Sequence, residues 1–349
     1  MRRLPIYFLI DVSESMVGEQ IQAVQEGIAD VIKELKQDPY ALETVHISII
    51  IFAGKAKTLI PLTDIITFYP PKFSVGSGTN LADGLGQLMF EMKKNHVPTT
   101  PEKKGDWKPI VFLFTDGAPT NDTTLAIREW KNNWASKSTL IAISLGERQT
   151  ISTLKDISND VYHIQDTSPG TFKSFFKWIT ASIKTSSVSV SDNGNHQMAN
   201  VNNISLEKVE SNNSIMVENV DPNVAVFLAK CQNLKREYLI KYKKQINSNE
   251  WSDSLGIGTL VYRLVGAYPV DAEYFQLSAN TTLDNKLSTE DLEGFPTCPC
   301  CGNQFGVSLC SCNNILCTGS EDLTTCPWCG KQDRFGYGSG SLDLNRNLG

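Results

Sequence analysis

The fold is decided by residues 4–15, LPIYFLIDVSES, where an apolar run is followed at once by a carboxylate and two hydroxyls. The run of residues 4–10 is nearly continuous in apolar side chains, as expected for a strand buried on both faces of a parallel sheet. Asp11, Ser13 and Ser15 are alternate residues, so extended backbone would point their side chains to one side. The stretch therefore predicts a buried strand whose carboxyl end carries a group of oxygen ligands.

Outward from this stretch, apolar runs alternate with helix-like segments up to residue 184. Further strands are predicted at residues 45–52, 109–115, 139–144 and 161–164, and helices at residues 20–36, 81–94, 124–135, 150–157 and 171–184. In the first predicted helix Ile21, Val24 and Ile28 keep helical spacing and form one apolar stripe. This alternation predicts an α/β domain with a doubly wound, mostly parallel, Rossmann-like sheet. Ligands of such folds bind outside the carboxyl ends of the strands.

Two more oxygen-bearing motifs follow at places where the pattern predicts strand ends or loops. Thr79 lies in the Gly-rich segment GSGTNL just before a predicted helix, and Asp116 ends a predicted strand in the segment FTDG. Carboxylate and hydroxyl oxygens suit Mg²⁺, with Mn²⁺ or Ca²⁺ as alternatives, and leave a position for an outside ligand. Each motif alone also fits a helix cap or an ordinary turn. Together and in this order they favour a metal site.

These motifs resemble the metal-ion-dependent adhesion site of von Willebrand A-type domains over roughly residues 4–184. The resemblance implies that Asp11, Ser13 and Ser15 belong to the first metal loop, Thr79 to the second and Asp116 to the third. It also implies a role in binding a protein that offers an acidic ligand. We therefore assign residues 1–184 to a von Willebrand A-type domain.

The composition changes after residue 184. Residues 185–219 are rich in Ser and Asn and predict a linker, with a short strand at 204–209 as an alternative. Residues 220–335 predict a small β-rich, zinc-ribbon-like domain with strands at 224–230, 238–242, 258–264 and 274–277. The Gly- and Ser-rich residues 336–349 predict a disordered tail.

Eight of the nine cysteines lie in a cysteine module at residues 295–332. Two C-P-x-C-G knuckles predict one tetrahedral Zn²⁺ site, and the remaining four cysteines offer a second site or include a spectator, so that one or two zinc ions are expected. Interleaved pairing, which would exchange ligands between two ions, stays open, as does a redox role. Cys231 is expected to be a small core residue. The first set is Cys298, Cys301, Cys326 and Cys329; the tentative second set is Cys300, Cys310, Cys312 and Cys317.

Charge and hydropathy exclude several partners. The formal net charge is −6, and no Lys or Arg lies between Gly294 and Gly330, which disfavours nucleic acid. No apolar run is long enough to span a membrane, and the run at residues 4–10 is too short for a signal peptide. A soluble, cytoplasmic protein is therefore expected.

The combination of an A-type domain with this cysteine module resembles the TerY group of bacterial tellurium-resistance and stress-response proteins. The resemblance implies a Ser/Thr kinase and a PP2C-type phosphatase as partners. One alternative is that the linker is a phosphorylation substrate, and the candidate sites are Thr185, Ser186, Ser187, Ser189 and Ser191. A Mg²⁺-dependent hydrolase is another alternative, but the four histidines show no H-E-x-x-H spacing. We expect a non-enzymatic scaffold.

Overall fold

The structure is a computed structural model of the 349-residue chain. It describes residues 2–102, 104–146, 151–164, 169–188, 207–208, 223–247, 259–280, 285–304, 306–319, 323–334 and 341–347. Within these residues, no helix is both long and apolar enough to cross a membrane.

Helices and strands alternate in the first half of the chain. The helices are α1 (Glu19–Leu35), α2 (Pro39–Thr44), α3 (Leu81–Asn95), α4 (Thr124–Asn133), α5 (Ile151–Ile157) and α6 (Pro169–Val188). The strands are β1 (Leu4–Asp11), β2 (Val45–Phe52), β3 (Ala56–Asp64), β4 (Ile110–Thr115), β5 (Thr139–Leu145), β6 (Asp160–Ile164) and β7 (Glu207–Lys208).

These strands form one seven-stranded sheet in the order β3-β2-β1-β4-β5-β6-β7. The five inner strands are parallel, and β3 and β7 pair antiparallel at the two edges. Alternate residues of β1 face opposite cores, so that Phe8 packs under α1 and α6 whereas Leu9 packs under α3 and α4. The predicted doubly wound, mostly parallel sheet is confirmed. Burial on both faces explains the continuous apolar runs of the inner strands.

Sequence patterning missed α2 and the edge strand β3. Strand β3 is only half-buried and contains Pro61, which is compatible with an edge but interrupts the expected apolar run. Helix α2 is six residues long and begins after Asp38, whose carboxylate accepts from the amides of Tyr40 and Ala41. It is too short to show a helical period.

The predicted linker begins inside a helix, because α6 continues to Val188. Within the predicted strand at residues 204–209, β7 pairs with β6 through Lys208 and Tyr162. The rest of the linker, including Ser189 and Ser191, lies outside the described residues.

The second half of the chain is β-rich, as predicted. Its elements are β8 (Val224–Lys230), β9 (Glu237–Asn247), β10 (Thr259–Pro269), α7 (Tyr274–Leu277), β11 (Lys286–Ser288), β12 (Leu292–Glu293), β13 (Val307–Leu309), β14 (Ile315–Cys317), β15 (Leu323–Thr325), β16 (Gln332–Arg334) and β17 (Asp343–Asn345). Six strands form one sheet in the order β12-β10-β9-β8-β14-β13.

Two sequence predictions for this half are wrong. Residues 274–277 form helix α7 rather than a strand, because Tyr274 and Leu277 are buried on one side at a spacing that only a helix provides. Residues 341–347, expected to be disordered, contain β17, which pairs antiparallel with β11. Leu344 of β17 is buried in the core of the second domain, so burial of one apolar side chain orders a segment whose composition suggested a tail.

Candidate metal centres

Asp11 anchors the first metal loop at the carboxyl end of β1. Its side chain is fully buried, and one carboxylate oxygen, Oδ1, accepts a hydrogen bond from the Ser13 amide at 2.8 Å. The other, Oδ2, accepts from Thr115 Oγ1 at 2.6 Å. Both oxygens therefore hold the loop and the neighbouring strand β4 in a fixed relation. Thr115 was missed by sequence reasoning, although its position directly before Asp116 at the end of a central strand was a usable signal.

Three side-chain oxygens from two loops lie in a chain beside Asp11. Ser13 Oγ and Ser15 Oγ are 3.0 Å apart, and Ser15 Oγ donates to Asp116 Oδ1 at 2.7 Å. In octahedral Mg²⁺ coordination, neighbouring ligand oxygens are about 2.9 Å apart, as Mg–O distances near 2.0–2.1 Å require. The observed oxygen spacing therefore fits one hard divalent ion held by these three side chains.

Thr79, in the second metal loop, lies close to the oxygens of the first and third loops. A Cβ built on Gly117 would lie 3.6 Å from both Ser15 Oγ and Thr79 Oγ1, which places these two hydroxyls at the same glycine. The loop is tied to the third loop because the Thr79 amide donates to Thr120 Oγ1, and the Thr120 amide donates to the Thr79 carbonyl, each at 3.0 Å. Thr120 is a second residue that sequence reasoning missed. The structure thus brings together all five predicted oxygen ligands.

The chemistry of this donor set fits a small divalent cation. Two carboxylates, Asp11 and Asp116, are almost completely buried, and burial of a carboxylate favours its neutral form unless a cation is near. Burial raises the pKa of Asp11 to about 6, although hydrogen bonds from Thr115 and Ser13 oppose the rise. A bound cation would stabilise the charged form of both groups.

Four cysteines form the first cysteine cluster, in which all Sγ atoms lie within 4.8 Å of one another: Cys231, Cys298, Cys301 and Cys317. Cys301 Sγ and Cys317 Sγ are 3.8 Å apart. A tetrahedral zinc site with Zn–S bonds near 2.3 Å requires sulfur atoms about 3.8 Å apart, far more than the roughly 2.05 Å of a disulfide. The spacing therefore fits metal ligation and not a disulfide.

Four of the remaining five cysteines form the second cysteine cluster: Cys310, Cys312, Cys326 and Cys329. Sulfur–sulfur distances are 3.7 Å for Cys310 and Cys329, and 3.9 Å for Cys312 and Cys326. This cluster is more open than the first, because Cys329 is exposed. The same tetrahedral argument applies to it.

Both C-P-x-C-G segments fold as knuckles, but they serve different clusters. Gly302 donates its amide to the Cys298 carbonyl and Gly330 donates to the Cys326 carbonyl, each at 2.9 Å. The two glycines have φ values of 74° and 75°, which residues with a Cβ rarely adopt. The expectation that the two knuckles share one site is therefore corrected. Each knuckle supplies two thiols to its own cluster, which is the interleaved arrangement.

Strand pairing explains the actual partition. In β14, Leu316 pairs in parallel with Lys230 of β8, so the next residues, Cys317 and Cys231, come side by side. Cys310 and Cys312 lie at the turn between β13 and β14, which β14 separates from Cys317 by roughly 7 Å at about 3.3 Å per residue. The thiols of Cys310 and Cys312 group with those of Cys326 and Cys329, whereas Cys317 groups with Cys231, so the predicted second set is split.

Cys231 is therefore a candidate metal ligand and Cys300 is not, which is the reverse of what we expected. Cys231, expected in the core, belongs to the first cluster, and the Gln232 amide beside it donates to Cys317 Sγ at 3.4 Å. Cys300, expected as a ligand, lies outside both groups of thiols found in the described residues. No sequence pattern marked Cys231, because it precedes the other cysteines by more than sixty residues.

Comparison with known proteins agrees with this two-domain arrangement. A family model for the von Willebrand factor type A domain matches residues 6–224, and a model for the TerY-C metal binding domain matches residues 221–349. A search of curated protein sequences finds no match.

A comparison with solved structures finds partial similarity to several proteins. Proximal thread matrix protein 1 from the mussel byssus is 20% identical over 52% of this chain and 48% of its own, with a TM-score of 0.38. The pilus adhesin SpaC from Lactobacillus rhamnosus GG is 14% identical over 53% of this chain and 31% of its own, with a TM-score of 0.42. This chain thus spans less than half the length of either. The ArnB paralog VWA2 from Sulfolobus acidocaldarius is 13% identical over 78% of this chain and 66% of its own, with a TM-score of 0.38. The family model for the von Willebrand factor type A domain matches more than half of this chain. This protein therefore belongs to that family, and it carries a TerY-C metal-binding domain in residues 221–349.

Proposed function

We propose that this protein is a non-catalytic interaction scaffold that binds partners through Mg²⁺ at an adhesion site formed by Asp11, Ser13, Ser15, Thr79 and Asp116. The observation that carries the proposal is the chain of oxygens from Ser13 through Ser15 to Asp116, spaced 3.0 and 2.7 Å apart. Ser13, Ser15 and Asp116 would hold the ion, and Asp11 would hold the loop. Mn²⁺ and Ca²⁺ are alternative ions.

The charge of the donor set indicates the chemistry of the partner. Two carboxylates balance the two positive charges of the ion, so the protein supplies no surplus negative charge. Mg²⁺ rarely takes all its ligands from one protein and keeps positions for water or an outside oxygen. A carboxylate from a partner protein fits such a position, because it adds a charge-assisted contact to the metal.

The placement of histidines supports a non-catalytic role. His46 is near the start of β2, at the sheet edge opposite the carboxyl ends, and His96 follows α3, fifteen residues beyond the end that begins near Thr79. His163 is buried near the end of β6, and Ser144 of β5 lies between it and Thr115 of β4, so about 10 Å separate its backbone from β4. None of these three described histidines is placed as a general base at the proposed metal site.

The test is retention of partners from native lysate on immobilised protein, in Mg²⁺-depleted and Mg²⁺-containing buffer. Proteins that wild type retains only with Mg²⁺ should be lost with Asp116→Ala and kept with Glu129→Ala, which removes an exposed carboxylate from α4. Omitting Mg²⁺ is preferable to EDTA, because a strong chelator would also remove zinc. The same catch on wild type and Asp116→Ala, with and without Mg²⁺, would refute the proposal.

The resemblance to the TerY group motivates a more specific setting. In it, the scaffold acts with a Ser/Thr kinase and a PP2C-type phosphatase in a bacterial tellurium-resistance or stress response, in the cytoplasm. The sulfur spacings of both clusters, which fit metal ligation and not disulfides, support a reducing compartment. In the alternative function, the kinase phosphorylates the linker of this protein. Phosphosite mapping after incubation with the kinase tests this alternative. An unmodified linker would exclude that alternative.

We further propose that each cysteine cluster holds one Zn²⁺, so that the protein binds two. Both clusters contain four thiols with the spacing of a tetrahedral site. Such ions would be structural, because four cysteines close the coordination sphere and leave no open position.

Affinity for Mg²⁺ is expected to depend on pH through Asp11. Its pKa is raised to about 6, so below that pH the metal-free site binds a proton that the metal must displace. The affinity should therefore fall by up to about tenfold per pH unit below pH 6 and change little between pH 7 and 8. Calorimetric titrations at several pH values, in buffers of different ionisation enthalpy, measure both the affinity and the released proton. An affinity for Mg²⁺ that is unchanged at pH 5, with no proton released, would contradict the role of Asp11 in this pH dependence.

A further inference from the structure

The second domain reaches the first metal loop through a buried lysine. Lys241 lies in the central part of β9, and its side chain is only 6% exposed. Its ammonium donates to the carbonyl of Ser15, to the carbonyl of Val17 at 3.0 Å and to Gln20 Oε1 at 3.2 Å. One cation of the second domain therefore binds the backbone of a residue whose side chain is a proposed metal ligand.

Glu14, between the two ligand serines, points into the same interface. It is fully buried and accepts hydrogen bonds from Tyr274 Oη of α7 and from Asn347 Nδ2, the latter at 2.6 Å. Burial and then the charge of Glu14 raise the pKa of Tyr274, which therefore remains a donor at neutral pH. The middle residue of the metal loop is thus held by two separate segments of the second domain.

The second metal loop is held in the same way, through its backbone. The Ser77 amide donates to Ser278 Oγ and the Ala279 amide donates to the Ser77 carbonyl, each at 2.9 Å. Packing here is close, since a Cβ added to Gly54 would lie 1.9 Å from the Ala279 amide nitrogen. The segment that follows α7 therefore lies directly against the loop that carries Thr79.

Apolar contacts seal the interface around the buried charges. Val17 packs with Val226, Leu239, Val270 and Tyr274 in one buried cluster that joins the two domains. A buried ammonium or carboxylate that loses its hydrogen-bonding partners strongly destabilises the fold. Separation of the domains would expose or orphan these groups, so loop geometry and domain docking change together.

We infer that Lys241, Tyr274 and Asn347 are positioning residues of the adhesion site, and that docking of the second domain holds the first metal loop in its metal-binding geometry. This inference rests on the proposed Mg²⁺ function and adds its regulation. Because coupling free energies are reciprocal, Mg²⁺ binding should strengthen domain docking by the same factor by which docking strengthens Mg²⁺ binding.

The test compares Lys241→Met with Lys243→Met in the full-length, zinc-loaded protein. Lys243 lies on the same strand but is exposed, so it controls for loss of one positive charge and for the new side chain. Removal of a nearby cation should by itself favour Mg²⁺ binding. A loss of affinity of about tenfold or more in Lys241→Met, typical of lost support around a metal ligand, therefore identifies loss of positioning. The affinity of each variant is measured by isothermal titration with Mg²⁺ and by paramagnetic resonance of free Mn²⁺.

Additional variants separate positioning from misfolding. Tyr274→Phe removes only a hydroxyl and should weaken Mg²⁺ binding a few-fold, and Lys241→Arg should restore part of the affinity lost in Lys241→Met. Circular dichroism and two bound zinc ions per chain confirm the fold. In wild type, Mg²⁺ should slow hydrogen exchange at the Ser77 and Ala279 amides, and this effect should shrink in Lys241→Met.

The outcomes distinguish the inference from the proposed function. If wild type binds no divalent ion at the site, with Asp116→Ala indistinguishable from it, the proposed function fails. If wild type binds Mg²⁺ and a folded Lys241→Met binds it equally well or more tightly, the positioning inference fails while the proposed function stands.

Discussion

Cys231→Ser is expected to lose one of two zinc ions and to destabilise the second domain severely. Cys231 lies in the first cysteine cluster at the end of β8, where it joins the start of the domain to the later knuckle at Cys298. Structural zinc contributes on the order of 10 kcal/mol or more to the folding of small domains, and loss of one thiolate forfeits much of it. Metal content by mass spectrometry should fall from two zinc ions per chain to one, with a lower melting temperature for the second domain.

Cys300→Ser is the matched control, because Cys300 is the neighbouring cysteine that the geometry leaves outside both clusters. It should keep two zinc ions and a melting temperature close to that of wild type. Zinc loss in Cys300→Ser together with full retention in Cys231→Ser would show that the partition derived from the structure is wrong. That result would make Cys300, and not Cys231, a zinc ligand, as expected from the sequence.

Asp116→Ala is expected to weaken Mg²⁺ binding by at least about a hundredfold, since changes merely around metal ligands already cost 10–100-fold. Asp116 Oδ1 lies 2.7 Å from Ser15 Oγ and offers the negative charge at the centre of the proposed ligand set. The metal-free fold should persist, because the substitution removes a buried carboxylate near Asp11 rather than a core side chain. Calorimetric titration with Mg²⁺ measures the effect.

Glu129→Ala is the control for this second substitution, because it removes an exposed carboxylate from the same domain. Its affinity for Mg²⁺ should equal that of wild type within about twofold, as surface changes away from a site have small effects. Equal weakening in both variants would indicate a general loss of negative charge, and no weakening in Asp116→Ala would place the ion elsewhere.

The fold of the first domain and the convergence of the candidate oxygen ligands could be predicted because their signals are local. Inner strands buried on both faces must be continuously apolar, and the carboxyl ends of parallel strands meet at one sheet edge. Asp11 and Asp116 therefore converge without any knowledge of distant contacts, and the knuckle glycines Gly302 and Gly330 mark their turns directly.

Features that depend on the pairing register between distant strands could not be predicted from local signals. The register of Leu316 with Lys230 places Cys317 beside Cys231, and nothing in either local sequence reports that pairing. For the same reason composition suggested a disordered tail where Leu344 is buried.

The sequence alone predicted the five oxygen-bearing residues that we propose as metal ligands, and it indicated a cysteine-rich metal-binding module, because short motifs mark both. Only the tertiary structure decided which cysteines share a cluster. It also explains why residue 14, between the two serines of the first metal loop, is a glutamate. Glu14 and Lys241 are far apart in the chain and acquire meaning only at the domain interface, where burial makes every unpaired charge costly. Long-range burial, not local pattern, therefore connects the two domains.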